Sequence, residues 1–437
     1  MSKSATKVLS KSDLFNQIEN FRSFLYFHGY QPPRRLKIRD KVIFDITGES
    51  DMEGGYNERV WDRCYHPMTV PVWQEGLQSP DSILSNPLVS AHLFGITRDW
   101  IRLKHPLAWE NVQHSLKNMT IPFVDPYLHQ ILPLLPDQAQ ALMIDIGIRA
   151  WEQDMDQPLR DKDGNPLSGF GIWPPELGIT MRTAEIMAQK GVSFLVLDQA
   201  QIRSDHFAPI YEVKTKNGAI YVLAYNGKEF AQRLAFSQII SSKVFASRVR
   251  GYHNNTGMPA FAAMDMETFG EWRGMDSIYF LNSLVHQDLD PENFKRHRSM
   301  IKPGEIIDAS SWSSNCELGR WSGAHCCAGE SPELMELKRK LYLDLREKLD
   351  QTLDELNNQS AGWDETFANF FLNTRDSLGG GENIVFSTLS DEYRSRFERL
   401  YVNLVGLTSC GWFYTDSDIE RNIPKNCIQY LNTAALV

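Results

Sequence analysis

The stretch GFGIWPPELG, residues 169–178, decides the fold that we predict for this chain. A short apolar run stops here at two prolines, and a helical pattern begins shortly afterwards. Pro174 has no N–H and a fixed φ, and Pro175 biases Pro174 toward extended geometry. We therefore expect Glu176 to be held by a stiff backbone at the end of a strand, three residues after Trp173.

Strand and helix patterns alternate on both sides of this stretch. Residues 136–155 place apolar side chains at helical spacing, residues 180–191 predict a helix, and residues 192–202 begin as a strongly apolar strand. Strands joined through helices by short links indicate a parallel sheet. Together with a strand at residues 24–28, this pattern predicts the α/β class and a β/α barrel.

The remaining segments give further expectations. Residues 89–107 have helical patches, and Asn217–Gly218 marks the turn of a hairpin. GEIIDAS, residues 304–310, reads as a last strand, and after it the composition becomes helical and charged until the strand-like CGWFYT at 410–415. We expect a barrel domain over residues 1–325 and a helical domain over residues 326–437.

Composition narrows the class of protein. The net charge of −10 argues against a nucleic-acid partner, because such proteins concentrate Lys and Arg. No window reaches the roughly 18 apolar residues of a membrane span, and the N-terminus lacks a signal-peptide pattern. The six cysteines form no CxxC pair, and Cys326 and Cys327 are adjacent. We expect reduced cysteines and a cytoplasmic protein without a membrane partner.

Two carboxylates are the main candidates for chemistry. Glu176 and Asp265 each follow an apolar strand, so both should project from the same end of a parallel barrel. Glycoside cleavage commonly uses two carboxyl groups, about 5–5.5 Å apart in a retaining enzyme and about 6.5–9.5 Å apart in an inverting one. Glu267 is an alternative acid or a neighbour that tunes Asp265. Trp173 offers a flat face of the kind that stacks on sugar rings.

Three polar residues follow other predicted strands. His28 and Gln31 lie at the carboxyl end of the first strand, and His129 follows a β-like run that ends near Asp125. The carboxyl ends of barrel strands are where catalytic loops gather. Each residue therefore has either a role in the site or a structural role in a hydrogen-bonded turn.

Three motifs resemble those of glycoside hydrolase family 57. WPPE at 173–176 and DMETFGEW at 265–272 look like its nucleophile and acid/base motifs, and HGYQP at 28–32 is similar to its first motif. The resemblance implies that Glu176 is the nucleophile and Asp265 the general acid/base, acting on α-glucans. Tyr30 and Glu271 each stand where the family pattern has a histidine.

Further motifs resemble one uncharacterised branch of that family. They are QPPR at 31–34, NERVWDRCY at 57–65, SSWS at 311–314, RW at 320–321 and SCGWF at 409–413. The resemblance implies a (β/α)7 barrel, a helical C-terminal domain that completes the substrate groove, and no metal cofactor. Beside His28, Gln31, His129, Trp173 and Glu267, the predicted substrate-binding residues are Trp272, Trp312, Trp321 and Trp412. Each of the last three could equally pack in the core.

Two other classes stay open at this stage. A metal-dependent polysaccharide deacetylase would need a His/His/Asp set, for which His28, His129 and Asp265 are conceivable. A non-catalytic glucan-binding protein could use the same groove. Whether the protein cleaves glucans or only binds them, we expect its partner to be an oligo- or polysaccharide.

Overall fold

The computed structural model of the protein describes residues 9–47, 55–74, 77–236, 241–312, 318–324, 331–359, 361–409, 412 and 422–434. The adjacent cysteines at 326 and 327 lie outside these residues, as does the strand-like run at 410–415 apart from Trp412.

Seven short, mostly buried strands form the centre of the molecule. They are β1 (Leu25–Gly29), β2 (Val89–Leu93), β3 (Phe123–Val124), β4 (Gly171–Ile172), β5 (Phe194–Asp198), β6 (Gly218–Tyr225) and β7 (Ala262–Asp265). Parallel ladders join β2, β1 and β7 in one group, and β3, β4, β5 and β6 in the other. The two groups meet after β6, where Asn226 N–H donates to Phe261 C=O at 2.8 Å. This is the strand order of a (β/α)7 barrel, and the predicted fold class is confirmed.

Helices connect and cover these strands. The longer helices of the barrel part are Lys11–Asn20, Gly95–Lys104, Pro106–Lys117, Asp137–Met155, Met181–Gln189, Ser242–Thr256 and Asp276–Ser283. Shorter helical segments are Tyr56–Val60, Trp61–Tyr65, His66–Thr69, Ile83–Ser85, Leu132–Leu134, Pro175–Leu177, Gln199–Gln201, Gly227–Ala231, Gln232–Phe236, Met266–Thr268, Leu284–Asp288, Pro291–Phe294, Arg298–Met300 and Gly319–Ser322. The C-terminal helices are Pro332–Gln359, Trp363–Gly380, Asp391–Gly406 and Asn422–Ala434.

The other strands lie outside the barrel. They are Arg35–Ile38, Lys41–Asp45, Pro71–Gln74, Leu77–Ser82, Ile202–Arg203, Ile210–Thr215, Ile301–Pro303, Glu305–Ile306 and Asn383–Ile384. The predicted last strand at 304–310 is reduced to Glu305–Ile306, which pairs antiparallel with Ile202–Arg203 and is not a barrel strand. Thr215 pairs with Gly218, so Lys216 and Asn217 form the hairpin turn, one residue earlier than predicted.

The prediction of helical patches over residues 89–107 is half wrong. Residues Val89–Leu93 form β2, which is fully buried beside β1, and the helix begins only at Gly95. A short run such as VSAHL has no decisive periodicity, so tertiary pairing rather than local preference selects the strand.

The helical C-terminal part is joined to the barrel by buried charges. Arg375, on the helix Trp363–Gly380, lies 2.7 Å from Asp154 and 3.3 Å from Asp99. Arg98 contacts the same Asp154 at 2.7 Å. Removing one member would leave an uncompensated buried charge, so this network fixes the helical part on the barrel. Among the helices that the structure describes, none is long and apolar enough to cross a bilayer.

Candidate active site

Glu176 lies on a strained turn directly after β4. Pro174 is extended, as predicted, and the backbone then turns into the left-handed region, with φ of 53° at Glu176 and 51° at Leu177. Side chains rarely adopt this conformation because the Cβ crowds the backbone. The turn directs the carboxylate toward Trp312, whose indole Nε1–H donates to Oε2 at 3.0 Å. A carboxylate held this way has a fixed orientation.

Asp265 is the last residue of β7, in register with His28 on β1. Its carboxylate Oδ1 lies 3.8 Å from His28 Nε2. The Asp265 side chain is 61% exposed, whereas that of His28 is 8% exposed. Asp265 therefore meets solvent at the mouth of the barrel, while a buried imidazole supports it from behind.

The two carboxyl groups influence each other electrostatically. Burial and the charge of Asp265 raise the pKa of Glu176 to about 7, while the Trp312 hydrogen bond and the Arg320 guanidinium oppose this rise. The protein around the base of the Asp265 side chain raises its pKa by partial desolvation, while the exposed side of the carboxylate stays in water. Because the groups interact, their protons leave in steps that belong to the pair. Glu176 has two partners that favour its charged form, whereas Asp265 has the longer contact of 3.8 Å with His28 Nε2.

Glu267 forms a third carboxyl group beside this pair. Its Oε1 accepts a hydrogen bond of 2.9 Å from Gln31 Nε2 and another from the Tyr65 hydroxyl. Burial and the charge of Asp265 raise the pKa of Glu267 to about 8. Glu267 is therefore buried beside Asp265, and two hydrogen bonds hold its carboxyl group in place.

Histidines and aromatic rings form the wall beneath Asp265. The ring of His28 lies 5.1 Å from that of His92 and 5.0 Å from that of His129. Trp173 is 5% exposed and stacks on Tyr26 and His28 at interplanar angles of 9° and 14°. Trp173 thus supports the wall from inside the core and presents no open face to a sugar ring.

The other predicted tryptophans differ in their surroundings. Trp312 and Trp272 are exposed, 37% and 57% respectively, and Trp312 touches Glu176. Trp321 is fully buried, and Trp412 is buried against Tyr342. The structure therefore leaves two of the four as open platforms.

An ion cluster holds the loop that carries Asp265. Glu271, which stands where the family pattern has a histidine, is buried and lies 2.6 Å from Arg59 and 3.6 Å from Arg63. Gly270 has φ of 97°, and a Cβ there would lie 1.8 Å from the carbonyl oxygen of Arg63. Glu271, in place of the family's histidine, thus forms ion pairs with two arginines of the NERVWDRCY segment.

A cavity of about 450 Å³ opens beside Gln31. It lies between the segment after β1, the helix that begins at Tyr56, and the end of the helix Trp363–Gly380. Arg34 lines this cavity and donates to Gln31 Oε1 at 3.0 Å, and its guanidinium lies 4.8 Å from the Tyr56 ring. Through Gln31, the cavity adjoins the carboxyl cluster.

Sequence reasoning missed His92 and Tyr26, whereas Tyr65 ends the NERVWDRCY motif and could serve in the groove or pack the segment around it. His92 lies in the segment interpreted as helical, and Tyr26 sits within a run that looks like ordinary core. The register of β1 with β2, in which His28 pairs with His92, would have been the signal.

A metal-binding arrangement is not visible in the described part of the chain, where no three His, Cys, Asp or Glu side chains are grouped to hold an ion. His28 approaches Asp265, whereas His129 Nδ1 is bonded to the Ser409 hydroxyl. The geometry of these side chains does not favour the deacetylase reading.

Carboxyl groups clustered at the strand ends of a parallel barrel suit the class of enzymes that cleave glycosidic bonds with two such groups. The chain belongs to glycosyl hydrolase family 57, whose sequence profile matches residues 25–312. No curated protein matches the sequence at a significant level.

Three solved structures are similar to the fold. An exo-type maltose-forming amylase from Pyrococcus sp. ST04 is 14% identical with a TM-score of 0.61, and the match covers 95% of this chain and 82% of that one. A 4-α-glucanotransferase from Thermococcus litoralis is 14% identical with a TM-score of 0.55, covering 94% and 59%. An α-amylase from Thermotoga maritima is 12% identical with a TM-score of 0.55, covering 94% and 92%.

Proposed function

We propose that the protein is a retaining glycosidase or transglycosylase that acts on an α-linked glucan. The observation that carries this proposal is the pairing of Glu176 with Asp265, at the ends of two parallel barrel strands. The two lie close enough that the charge of Asp265, after burial, raises the pKa of Glu176. The similar structures include a maltose-forming amylase and a 4-α-glucanotransferase, which supports the substrate class.

In this mechanism the two carboxyl groups have different tasks. Glu176 attacks the anomeric carbon while Asp265 protonates the leaving glycosidic oxygen, which gives a covalent glycosyl-enzyme. Asp265 then takes a proton from water or an acceptor sugar, which displaces Glu176. The Trp312 hydrogen bond and the Arg320 charge favour an ionised Glu176. A bound sugar that displaces water from the exposed Asp265 favours its protonated form.

Further features support the binding part of the proposal. The open faces of Trp312 and Trp272 suit sugar rings, and the cavity beside Gln31 offers room for the acceptor side of the chain. We further propose that a barrel domain of residues 1–325 and a helical domain of residues 326–437 enclose the groove together. The contact of Ser409 with His129 supports this arrangement.

We also propose that the enzyme works in the cytoplasm. Cys64 and Cys427 are free, buried thiols. Reduced, buried cysteines are typical of proteins in a reducing compartment.

The test is product analysis on a panel of maltooligosaccharides and α-glucan polymers, with and without EDTA. Wild type should cleave or transfer with retained α configuration, seen by NMR of the first products. Glu176→Gln and Asp265→Asn should both be inactive, and EDTA should change nothing. Loss of activity in EDTA would favour the deacetylase reading, and glucan binding without turnover would favour a binding protein.

A further inference from the structure

A chain of buried ring contacts leads from the core of the barrel to Asp265. The Tyr26 hydroxyl lies 2.6 Å from His92 Nδ1, His92 Nε2 lies 3.1 Å from His28 Nδ1, and His28 Nε2 lies 3.8 Å from Asp265 Oδ1. Tyr26 and His92 are at most 1% exposed, and His28 is 6% exposed. All three come from the adjacent strands β1 and β2.

One arrangement of protons satisfies Tyr26, His92 and His28, with Asp125 Oδ1, 3.0 Å from His92 Nε2, as a second acceptor for the same hydrogen. The Tyr26 hydroxyl has one described hydrogen-bond partner, the ring nitrogen Nδ1 of His92. An unpaired buried hydroxyl proton is costly, so Tyr26 donates and Nδ1 accepts. A neutral imidazole carries one hydrogen, so that of His92 is on Nε2 and is donated to His28 Nδ1. The hydrogen of His28 is then on Nε2.

We propose that Tyr26 and His92 are positioning residues that fix the tautomer of His28 with its Nε2–H toward Asp265. The N–H dipole then attracts the charged carboxylate and holds one rotamer of Asp265. With the opposite tautomer, a lone pair would face the carboxylate and repel it. The role of Asp265 in catalysis rests on the proposed function, whereas the tautomer itself does not.

The surroundings keep both histidines neutral. Burial lowers the pKa of His28 to about 3 and that of His92 well below its ordinary value. Asp125 Oδ1 lies 3.0 Å from His92 Nε2, where it can share the Nε2 hydrogen, and burial raises the pKa of Asp125 well above its ordinary value. A carboxyl group that stays protonated does not draw a charge onto His92.

Other titratable groups face the two ends of this chain. Glu176 and Glu267 face Asp265 as carboxyl groups, and the Tyr225 phenol lies in its field. His129 packs beside His28 and is also neutral because of burial. None of these groups contacts the Tyr26 hydroxyl in the described structure. Removing that hydroxyl therefore acts on the contacts that run from Tyr26 through His92 to His28.

The first experiment reads the tautomer directly. The chain has eleven histidines, so ¹⁵N-histidine labelling with long-range ¹H–¹⁵N correlation can resolve the ring nitrogens of His28, assigned by their loss in His28→Asn. We expect the hydrogen of His28 on Nε2 in wild type and a larger share of the Nδ1 form in Tyr26→Phe, because no hydroxyl then excludes a hydrogen from His92 Nδ1. A hydrogen on Nδ1 in wild type, or an unchanged tautomer in Tyr26→Phe, overturns the proposal.

The second experiment reads the effect on Asp265. Losing the donor should raise the pKa of Asp265, so the basic limb of kcat/KM in Tyr26→Phe should move up by about 0.5–1 pH unit. In His92→Gln, the amide N–H can replace Nε2–H without help from Tyr26. Adding Tyr26→Phe to His92→Gln should therefore leave the limb unchanged. The proposal is contradicted if Tyr26→Phe shifts the basic limb equally in wild type and in His92→Gln, or shifts it in neither.

Two controls separate a change in the relay from a change in folding. Tyr26→Phe keeps the ring that packs on Trp173, and Tyr401→Phe removes a buried hydroxyl from a C-terminal helix. Tyr401→Phe should leave the pH profile unchanged. A fall in Tm without a shifted limb in Tyr26→Phe would assign a structural role only. Full activity of Asp265→Asn would instead refute the proposed function and leave the NMR result standing.

Discussion

The indole Nε1–H of Trp312 donates a hydrogen bond of 3.0 Å to Oε2 of Glu176. This contact joins an exposed aromatic ring to a carboxylate on a strained turn, so one residue can bind sugar and stabilise a charge. It also gives the two carboxyl groups different environments, because the described contact of Asp265 with His28 Nε2 is longer, at 3.8 Å.

Trp312→Phe should move the acid limb of kcat/KM to higher pH. The hydrogen bond favours the ionised form of Glu176, so its loss raises the pKa of that carboxyl group further. The ring of Trp312 is partly exposed, so we expect an effect of about 1 kcal/mol, or about fivefold in rate at pH 6. Trp73→Phe, at an exposed tryptophan in a surface hairpin, is the matched control and should leave the limb in place.

Glu176→Gly should abolish activity and yet fold more stably than Glu176→Ala. Glycine adopts φ of 53° without crowding, whereas alanine keeps the strain, so the free energies of unfolding should differ by about 1 kcal/mol. Urea unfolding of the two variants measures this difference. Equal stability would mean that the turn relaxes when the carboxylate is removed.

Glu176→Gly also allows a test of the nucleophile. With an activated aryl α-maltooligosaccharide, added azide should restore turnover and give a glycosyl azide of inverted configuration, because azide enters from the side that the carboxylate leaves. In Asp265→Ala, azide should instead give a product of retained configuration. A retained product in Glu176→Gly and an inverted product in Asp265→Ala would make Asp265 the nucleophile and Glu176 the acid/base.

Glu267→Gln should keep activity within about tenfold of wild type, whereas Asp265→Asn should not. The amide can still accept from Gln31 and Tyr65, so the cluster keeps its hydrogen bonds. If Glu267→Gln lost as much activity as Asp265→Asn, Glu267 would be the general acid. Glu305→Gln, at an exposed carboxylate far along the chain, controls for the loss of a charge.

The same variant should flatten the pH dependence of stability. The pKa of Glu267 rises from 4.5 to about 8 on folding, so the unfolded chain loses this proton first. Stability is therefore complete below about pH 4.5 and falls as the pH rises to 8, by on the order of 3–5 kcal/mol for this group. Urea unfolding at pH 5 and pH 8 should show a smaller loss in Glu267→Gln. An unchanged loss would show that another group binds the proton.

Glu271→His, which restores the residue of the family pattern, should destabilise this protein. Arg59 and Arg63 would lose the buried carboxylate that they share, and the partial exposure of Arg59 limits the cost to about 2 kcal/mol. Adding Arg59→Met should recover part of the stability. Arg203→Met, which removes an exposed ion pair, should change Tm little. A Glu271→His variant as stable as wild type would mean that the arginines find other partners.

The sequence allowed the barrel and the two carboxylates to be predicted because both leave strong local signals. Apolar runs that stop at Pro174 or at Asp265 mark strand ends, and parallel strands bring such ends together. β2 was missed because VSAHL is short and becomes a strand only through its pairing with β1. Burial was also hidden, since nothing in the sequence separates Trp312, which is exposed, from Trp321, which is fully buried.

The contact between His129 and Ser409 has an evolutionary consequence. Ser409 N–H donates to the carbonyl oxygen of His129 at 2.6 Å, and Gln130 reaches the carbonyl oxygen of Leu404 at 2.9 Å. One wall of the site is therefore built by segments nearly three hundred residues apart in the chain. Recombination that replaced the helices alone would separate His129 from its partner, so the two halves must be inherited together and change in step.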